Sequence, residues 1–161
     1  MNIPALAAEL VALLKARHQH VTTAESCTGG LIASAITSIS GSSEIFEQGF
    51  VTYSNAAKTA LVGVPADLLE AHGAVSVPVA AAMAQGALTA ADADIALSVT
   101  GIAGPTGGSP GKPVGMVCFG LAQKGQPPQT HVMQFGPIGR DAVRASSVAH
   151  ALTWALQALK T

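Results

Sequence analysis

Apolar and polar positions along this chain follow two periods, and the places where one gives way to the other mark its elements. Ile3, Leu6, Leu10, Leu13 and Leu14 fall on one face at helical spacing, which predicts a first helix over residues 2–17 with Asn2 as its cap and Pro4 tolerated in its first turn. Leu31, Ile32, Ala35 and Ile36 mark a second helix, broken by Gly41-Ser42-Ser43. Residues 55–62 read as a third, Val64-Pro65-Ala66-Asp67 starts another short one, and Pro78 opens an alanine-rich helix reaching about residue 91. Arg140 to Leu159 closes the chain as a helix that turns Val148, Leu152, Leu156 and Leu159 inward.

Between these lie shorter β-branched and aromatic runs: Val21 to Ala24, Gly49 to Tyr53, and Ile95 to Thr100, the last apolar enough to be a buried strand. Val114 to Ala122 and Thr130 to Phe135 read as two more strands, a hairpin-like pair joined around Gly125. The order predicts an α/β fold, a three-layer α/β/α sandwich around a mixed, mostly parallel sheet. A length of 161 residues suits one domain over 1–161, and no internal repeat, linker or low-complexity stretch divides it.

Composition narrows the function. Apolar residues make up 49% of the chain and charged ones only 11%, against roughly 25% in an average domain, so part of the surface is expected to be covered in a homodimer or higher homo-oligomer. A formal net charge of −1 with no basic run argues against nucleic acid as a partner. Cys27 and Cys118 form no CxxC spacing, the N-terminus resembles no signal peptide, and no segment offers 18 uninterrupted apolar residues; a cytoplasmic protein with no membrane partner is expected. His18, His20, His72, His131 and His150 show no ligand spacing, so no metal is expected.

The candidate chemistry lies in polar segments set between apolar runs. Three of them, Glu25–Gly30, Tyr53–Lys58 and Thr100–Gly108, fall at the C-terminal ends of predicted strands, where open α/β sheets place their sites, and are expected to share one crevice. Ser43, in the Gly-Ser-Ser break, is a candidate nucleophile; with no histidine in a motif, Lys58 is the available base, and Tyr53 ends the strand between them. Lys58 would have to be partly neutral, which a dry pocket and the positive end of a helix starting near Asn55 both favour.

A plain structural reading stands beside each of these. Ser42 or Ser43 can cap a short turn, Ser54 or Asn55 the next helix, and Lys58 can be a solvated helix lysine. Cys27, before two glycines at a helix start, is a rival nucleophile or a structural thiol. Ser26, Thr28, Gly29 and Gly30 form either a hydroxyl-and-amide cradle or a helix cap with a tight turn. The loop from Gly101 to Gly108 fits neither a P-loop nor a dinucleotide fingerprint. Arg140 and Arg144, one turn apart where a helix dipole disfavours cations, either hold an anion such as phosphate or form a solvated basic face.

Taken together, Thr23–Gly30, Gly41-Ser42-Ser43, Gly49–Asn55 with Lys58, His72–Ser76, Ser98–Pro105 and Lys112–Gly115 resemble the CinA C-terminal-domain family, the PncC-type nicotinamide-nucleotide amidases, in order from about residue 5 to residue 158. The resemblance implies hydrolysis of the carboxamide of nicotinamide mononucleotide to nicotinate mononucleotide and ammonia, with a small-molecule nucleotide as substrate and no metal or organic cofactor. It implies that Ser43, Lys58 and Tyr53 act together, that Thr100 and the loop beginning at Gly101 lie near the amide, and that Arg140 meets the phosphate. Glu25 and Ser26, Thr28, Gly29 and Gly30 would line the same pocket. A non-catalytic nucleotide-binding or regulatory module that kept the pocket is the alternative.

Overall fold

The computed structural model describes residues 2–161. Helix α1 (Ile3–Arg17) leads into strand β1 (Val21–Glu25), then come α2 (Leu31–Thr37), a 3-10 turn at Ser42–Glu44, β2 (Phe50–Val51), α3 (Asn55–Val62), α4 (Ala66–His72) and α5 (Val77–Ala91). Strands β3 (Ile95–Gly101), β4 (Met116–Gln123) and β5 (Gln129–Gln134) precede the closing helix α6 (Arg140–Leu159). The expected caps form: Asn2 Oδ1 accepts from the Ala5 amide at 3.0 Å, and Ser54 Oγ accepts from Ala57 at 3.0 Å to start α3.

The sheet runs β2-β1-β3-β4-β5. Strands β2, β1 and β3 are parallel, in register from Val21 opposite Ile95 to Glu25 opposite Val99, while β3–β4 and β4–β5 are antiparallel. Half of the pairings are therefore parallel, rather than most. The reason lies in the connections: helices carry the chain between the parallel strands, whereas only Lys124–Pro128 join β4 to β5, too short a link for a crossover.

Alternation along β3 sorts the two layers. Ile95, Leu97 and Val99 face a core with Leu10 and Leu14 of α1, Ile32 and Ile36 of α2, and Leu152 and Leu156 of α6. Each fully buried aliphatic side chain there contributes about 1.5–3 kcal/mol. Ala96 faces the other way with Ala24 and Ala122, against Val79, Met83, Ala84 and Ala87 of α5. These small residues let α5 sit close: Ser98 Oγ donates to the Ala80 carbonyl at 2.6 Å, and a side chain at Gly120 would collide with that same carbonyl.

Strand β2 is shorter than the Gly49–Tyr53 run predicts. The Thr52 N–H donates to the Glu25 carbonyl at 2.7 Å and closes the ladder, after which the Thr52 carbonyl turns away from the sheet. That short strand frees a backbone acceptor beside the C-terminal end of β1. No helix among the described residues is long and apolar enough to cross a membrane.

Candidate active site

The three parallel strands end on the same edge of the sheet, and the polar segments expected at those ends arrive there. Ser26 follows the last residue of β1, held by its own backbone. Its N–H donates to the Val99 carbonyl at 2.9 Å, and its carbonyl accepts from the Gly29 amide at 3.0 Å, closing a turn before α2. From α3, Lys58 reaches back to donate to Ser26 Oγ at 3.1 Å and to the Thr52 carbonyl at 2.8 Å.

Lys58 is among the largest fully buried side chains, at 1% exposure. Among the described residues, no carboxylate lies within ion-pair distance of its amine. Burial pulls its pKa below the ordinary lysine value of 10.5, with the Cys27 thiol opposing that shift. Burial without a counter-ion shifts this amine toward its neutral form, and a neutral amine 3.1 Å from a hydroxyl can take its proton.

The same geometry separates Ser43 from Lys58. Ser43 is exposed in the 3-10 turn, two residues before Ile45, whose carbonyl accepts from the amide of Val21 at the opposite, N-terminal end of β1. Strand β1 thus places roughly 16 Å of extended chain between that contact and Ser26. Ser43 makes no hydrogen bond with Lys58 or Tyr53, whereas Ser26, expected only to line the pocket, holds the position against the amine. Ser54 is spent on its cap.

Tyr53 stands at the rim, 61% exposed, and its hydroxyl accepts from Arg140 Nη2 at 2.9 Å. Arg140 Nη1 donates to the Gly104 carbonyl at 3.0 Å, so one guanidinium at the start of α6 joins the β2–α3 and β3–β4 loops. Arg144 turns inward instead and donates to the carbonyls of Cys27 at 3.1 Å and Thr28 at 3.3 Å. The two arginines therefore do not form one paired anion clamp.

Several other expected site residues are committed to the scaffold. Glu25, 1% exposed, accepts from the Thr28 hydroxyl at 2.6 Å and from the amides of Ile32 at 2.9 Å and Ala33 at 3.0 Å. It caps α2 from below, and Thr28 is fully buried with it. Thr100 Oγ1 donates to the Ala74 carbonyl at 2.9 Å, and Gly101 packs against Val117 in the ladder with β4. Gly29 and Gly30 both have positive φ, +59° and +105°, as the turn into α2 requires. Burial pushes the Cys27 thiol up to about 11, which leaves it protonated near neutral pH and inert as a nucleophile.

The Thr52 carbonyl and Arg144's grip on the Cys27–Thr28 turn were not legible from residue types. The signal for Ser26 was present in its position one residue beyond a buried strand. A cleft of about 170 Å³ between Ala103, Pro105, Val114, Pro137 and Gly139 adjoins the Arg140–Gly104 contact. A larger groove of about 390 Å³, lined by Arg17, Gln19, Gln129, His131 and Trp154, opens at the other end of the sheet, away from Ser26 and Lys58.

Known proteins share this fold and much of this sequence. The family model of the CinA C-terminal domain matches residues 4–159. The chain is 55% identical over 152 residues to the nicotinamide-nucleotide amidohydrolase PncC of Enterobacter agglomerans, covering 94% of this chain and 92% of that protein. It is 51% identical over 153 residues to a CinA-like protein of Citrifermentans bemidjiense, of which it spans only 36%. The crystal structure of the competence/damage inducible protein CihA from Agrobacterium tumefaciens superposes with a TM-score of 0.95 at 45% identity, covering 99% of this chain and 96% of that one. The chain belongs to the CinA C-terminal domain family.

Proposed function

From that membership and the Ser26–Lys58 contact, we propose that the protein is a nicotinamide-nucleotide amidohydrolase in which Ser26 is the nucleophile and Lys58 its base. The name of the Enterobacter relative supports the substrate. The observation that carries the mechanism is the buried, counter-ion-free Lys58 amine 3.1 Å from Ser26 Oγ. Ser26 gives its hydroxyl proton to neutral Lys58 as Oγ bonds to the carboxamide carbon of nicotinamide mononucleotide. The oxyanion so formed lies beside the turn into α2, where the Thr28 and Gly30 amides make no hydrogen bond to any described residue.

Protonated Lys58 then delivers its proton to the departing nitrogen, the C–N bond breaks and ammonia leaves. Water attacks the resulting ester with Lys58 again taking a proton, and nicotinate mononucleotide is released while Ser26 regains its hydrogen. Arg140, with Tyr53 at the rim, meets the substrate phosphate; its two bonds to neutral acceptors leave its charge uncompensated.

The test is ammonia release from nicotinamide mononucleotide by the purified protein beside Ser26→Ala and Ser43→Ala. Release should fall by at least about 10³-fold in the first and stay within about twofold in the second. The reverse pattern would return the nucleophile to Ser43. Failure of the folded wild-type protein to release ammonia would leave a nucleotide-binding module.

A further inference from the structure

Arg144 holds the turn after Ser26 by its carbonyls. Its Nε donates to Cys27 O at 3.1 Å and its Nη2 to Thr28 O at 3.3 Å, and among the described residues no carboxylate pairs with it. Thr28 O also accepts from the Leu31 amide at 3.0 Å, so this carbonyl is fixed from two directions. In a trans peptide the C=O and the following N–H point to opposite sides. A guanidinium that draws Cys27 O toward α6 therefore turns the Thr28 N–H away from α6. The Gly29 N–H is already spent on Ser26 O, which leaves Cys27, Thr28 and Gly30 as the free donors of the turn, and of their three peptides only that of Thr28 has its carbonyl held by Arg144.

We propose that Arg144 is a positioning residue for catalysis: by holding the Cys27 carbonyl it orients the Thr28 amide of the same peptide as an oxyanion donor. This rests on the reading of Ser26 as nucleophile. Among the described residues Arg144 is the one donor to the Cys27 carbonyl, whereas Thr28 O keeps the Leu31 amide without it. A planar fork holds both carbonyls in one geometry; a lysine ammonium is a point charge that does not fix the Cys27 peptide in that orientation.

The experiment joins steady-state ammonia release with amide hydrogen exchange on Arg144→Lys, Arg144→Gln and Arg140→Lys. Arg144→Lys should lower kcat by about 10²-fold with KM within about threefold, as expected when an interaction made only in the transition state is lost. Exchange at Gly29 and Leu31, the hydrogen-bonded amides of the turn, should quicken by about tenfold or more, with protection in β3 and α6 unchanged. Arg144→Gln should reproduce both effects, and it carries the test if the lysine variant does not fold. Arg140→Lys should raise KM and leave exchange over residues 26–30 as in the wild type. A raised KM at unchanged kcat in Arg144→Lys would overturn the proposal in favour of a substrate contact. Unchanged exchange would overturn it outright, and that arm decides even if the wild-type protein releases no ammonia and the amidase reading fails.

Discussion

At the C-terminal edge of β1, Glu25 and Lys58 are both withdrawn from water; at its N-terminal edge, His20, Glu47 and Asp94 reach solvent, with His20 Nε2 3.6 Å from Glu47 and Nδ1 4.0 Å from Asp94. Exposed pairs of the second kind contribute about 0–1 kcal/mol and vanish in salt. The buried edge divides further. Glu25 is surrounded by three donors and serves the fold, while Lys58 has two neutral acceptors, no counter-ion and a depressed pKa. A charge the fold leaves undercompensated marks the chemistry, and a satisfied one marks structure.

The sharpest way to break that distinction is Lys58→Met. Ammonia release should fall by about 10²–10⁴-fold as the base is lost. Equilibrium urea unfolding should nevertheless show the variant more stable by about 1–2 kcal/mol, because an apolar side chain of similar length replaces a buried amine. A variant that loses both activity and stability would make Lys58 a structural residue like Glu25.

Glu25→Ala should do the opposite. Two backbone amides and the Thr28 hydroxyl would be left buried without an acceptor, at a cost of about 3–5 kcal/mol in the same unfolding measurement. A loss under about 1 kcal/mol would show that water replaces the carboxylate and that this edge is wetter than its burial indicates.

The pH dependence sharpens the comparison. Lys58's pKa is lower in the folded protein than its ordinary 10.5, so between those two values the unfolded chain binds more protons and stability contributed at this site rises with pH. The penalty is complete below the folded pKa and gone above about 10.5. The stability advantage of Lys58→Met should therefore shrink as pH rises through that window, whereas kcat/KM of the wild type should climb as pH passes through the folded pKa and level off above it, because it follows the folded amine alone. A constant advantage across the window would contradict a depressed lysine.

The smallest effects belong to groups that the structure removes from the chemistry. Iodoacetamide at neutral pH should leave activity intact over the time in which a free surface thiol is consumed, since Cys27 is buried and its pKa raised to about 11. His20→Ala, at the solvated edge, should change unfolding free energy by less than about 0.5 kcal/mol. A larger loss there would mean that the exposed ion pairs are coupled to the core.

Much of this architecture was legible in the chain. The helix over 140–159, the cap at Asn2 and the buried strand from Ile95 follow from spacing of three or four against spacing of two, and both are local properties. The gathering of Glu25–Gly30, Tyr53–Lys58 and the Gly101 loop at one edge was legible too, because parallel strands end together. The length of β2 was not, since it depends on Thr52 bonding to a residue 27 positions away. The partner of Lys58 was not either: Ser43 and Ser26 both lie in polar breaks near a glycine, and residue type cannot rank them.

The sequence by itself determined that a lysine, a tyrosine, several serines and two arginines sit in polar breaks of an α/β chain, and hence that a metal-free acyl transfer was worth asking about. Only the tertiary structure decided which of them meet. Parallel register carries the end of β1 to the end of β2, and the end of β2 starts the helix that bears Lys58, so the amine reaches Ser26 and not Ser43. Burial then decides the rest, because the proton affinity of an amine and the worth of a carboxylate's hydrogen bonds depend on how much water the surrounding layers exclude, a quantity that no stretch of sequence contains.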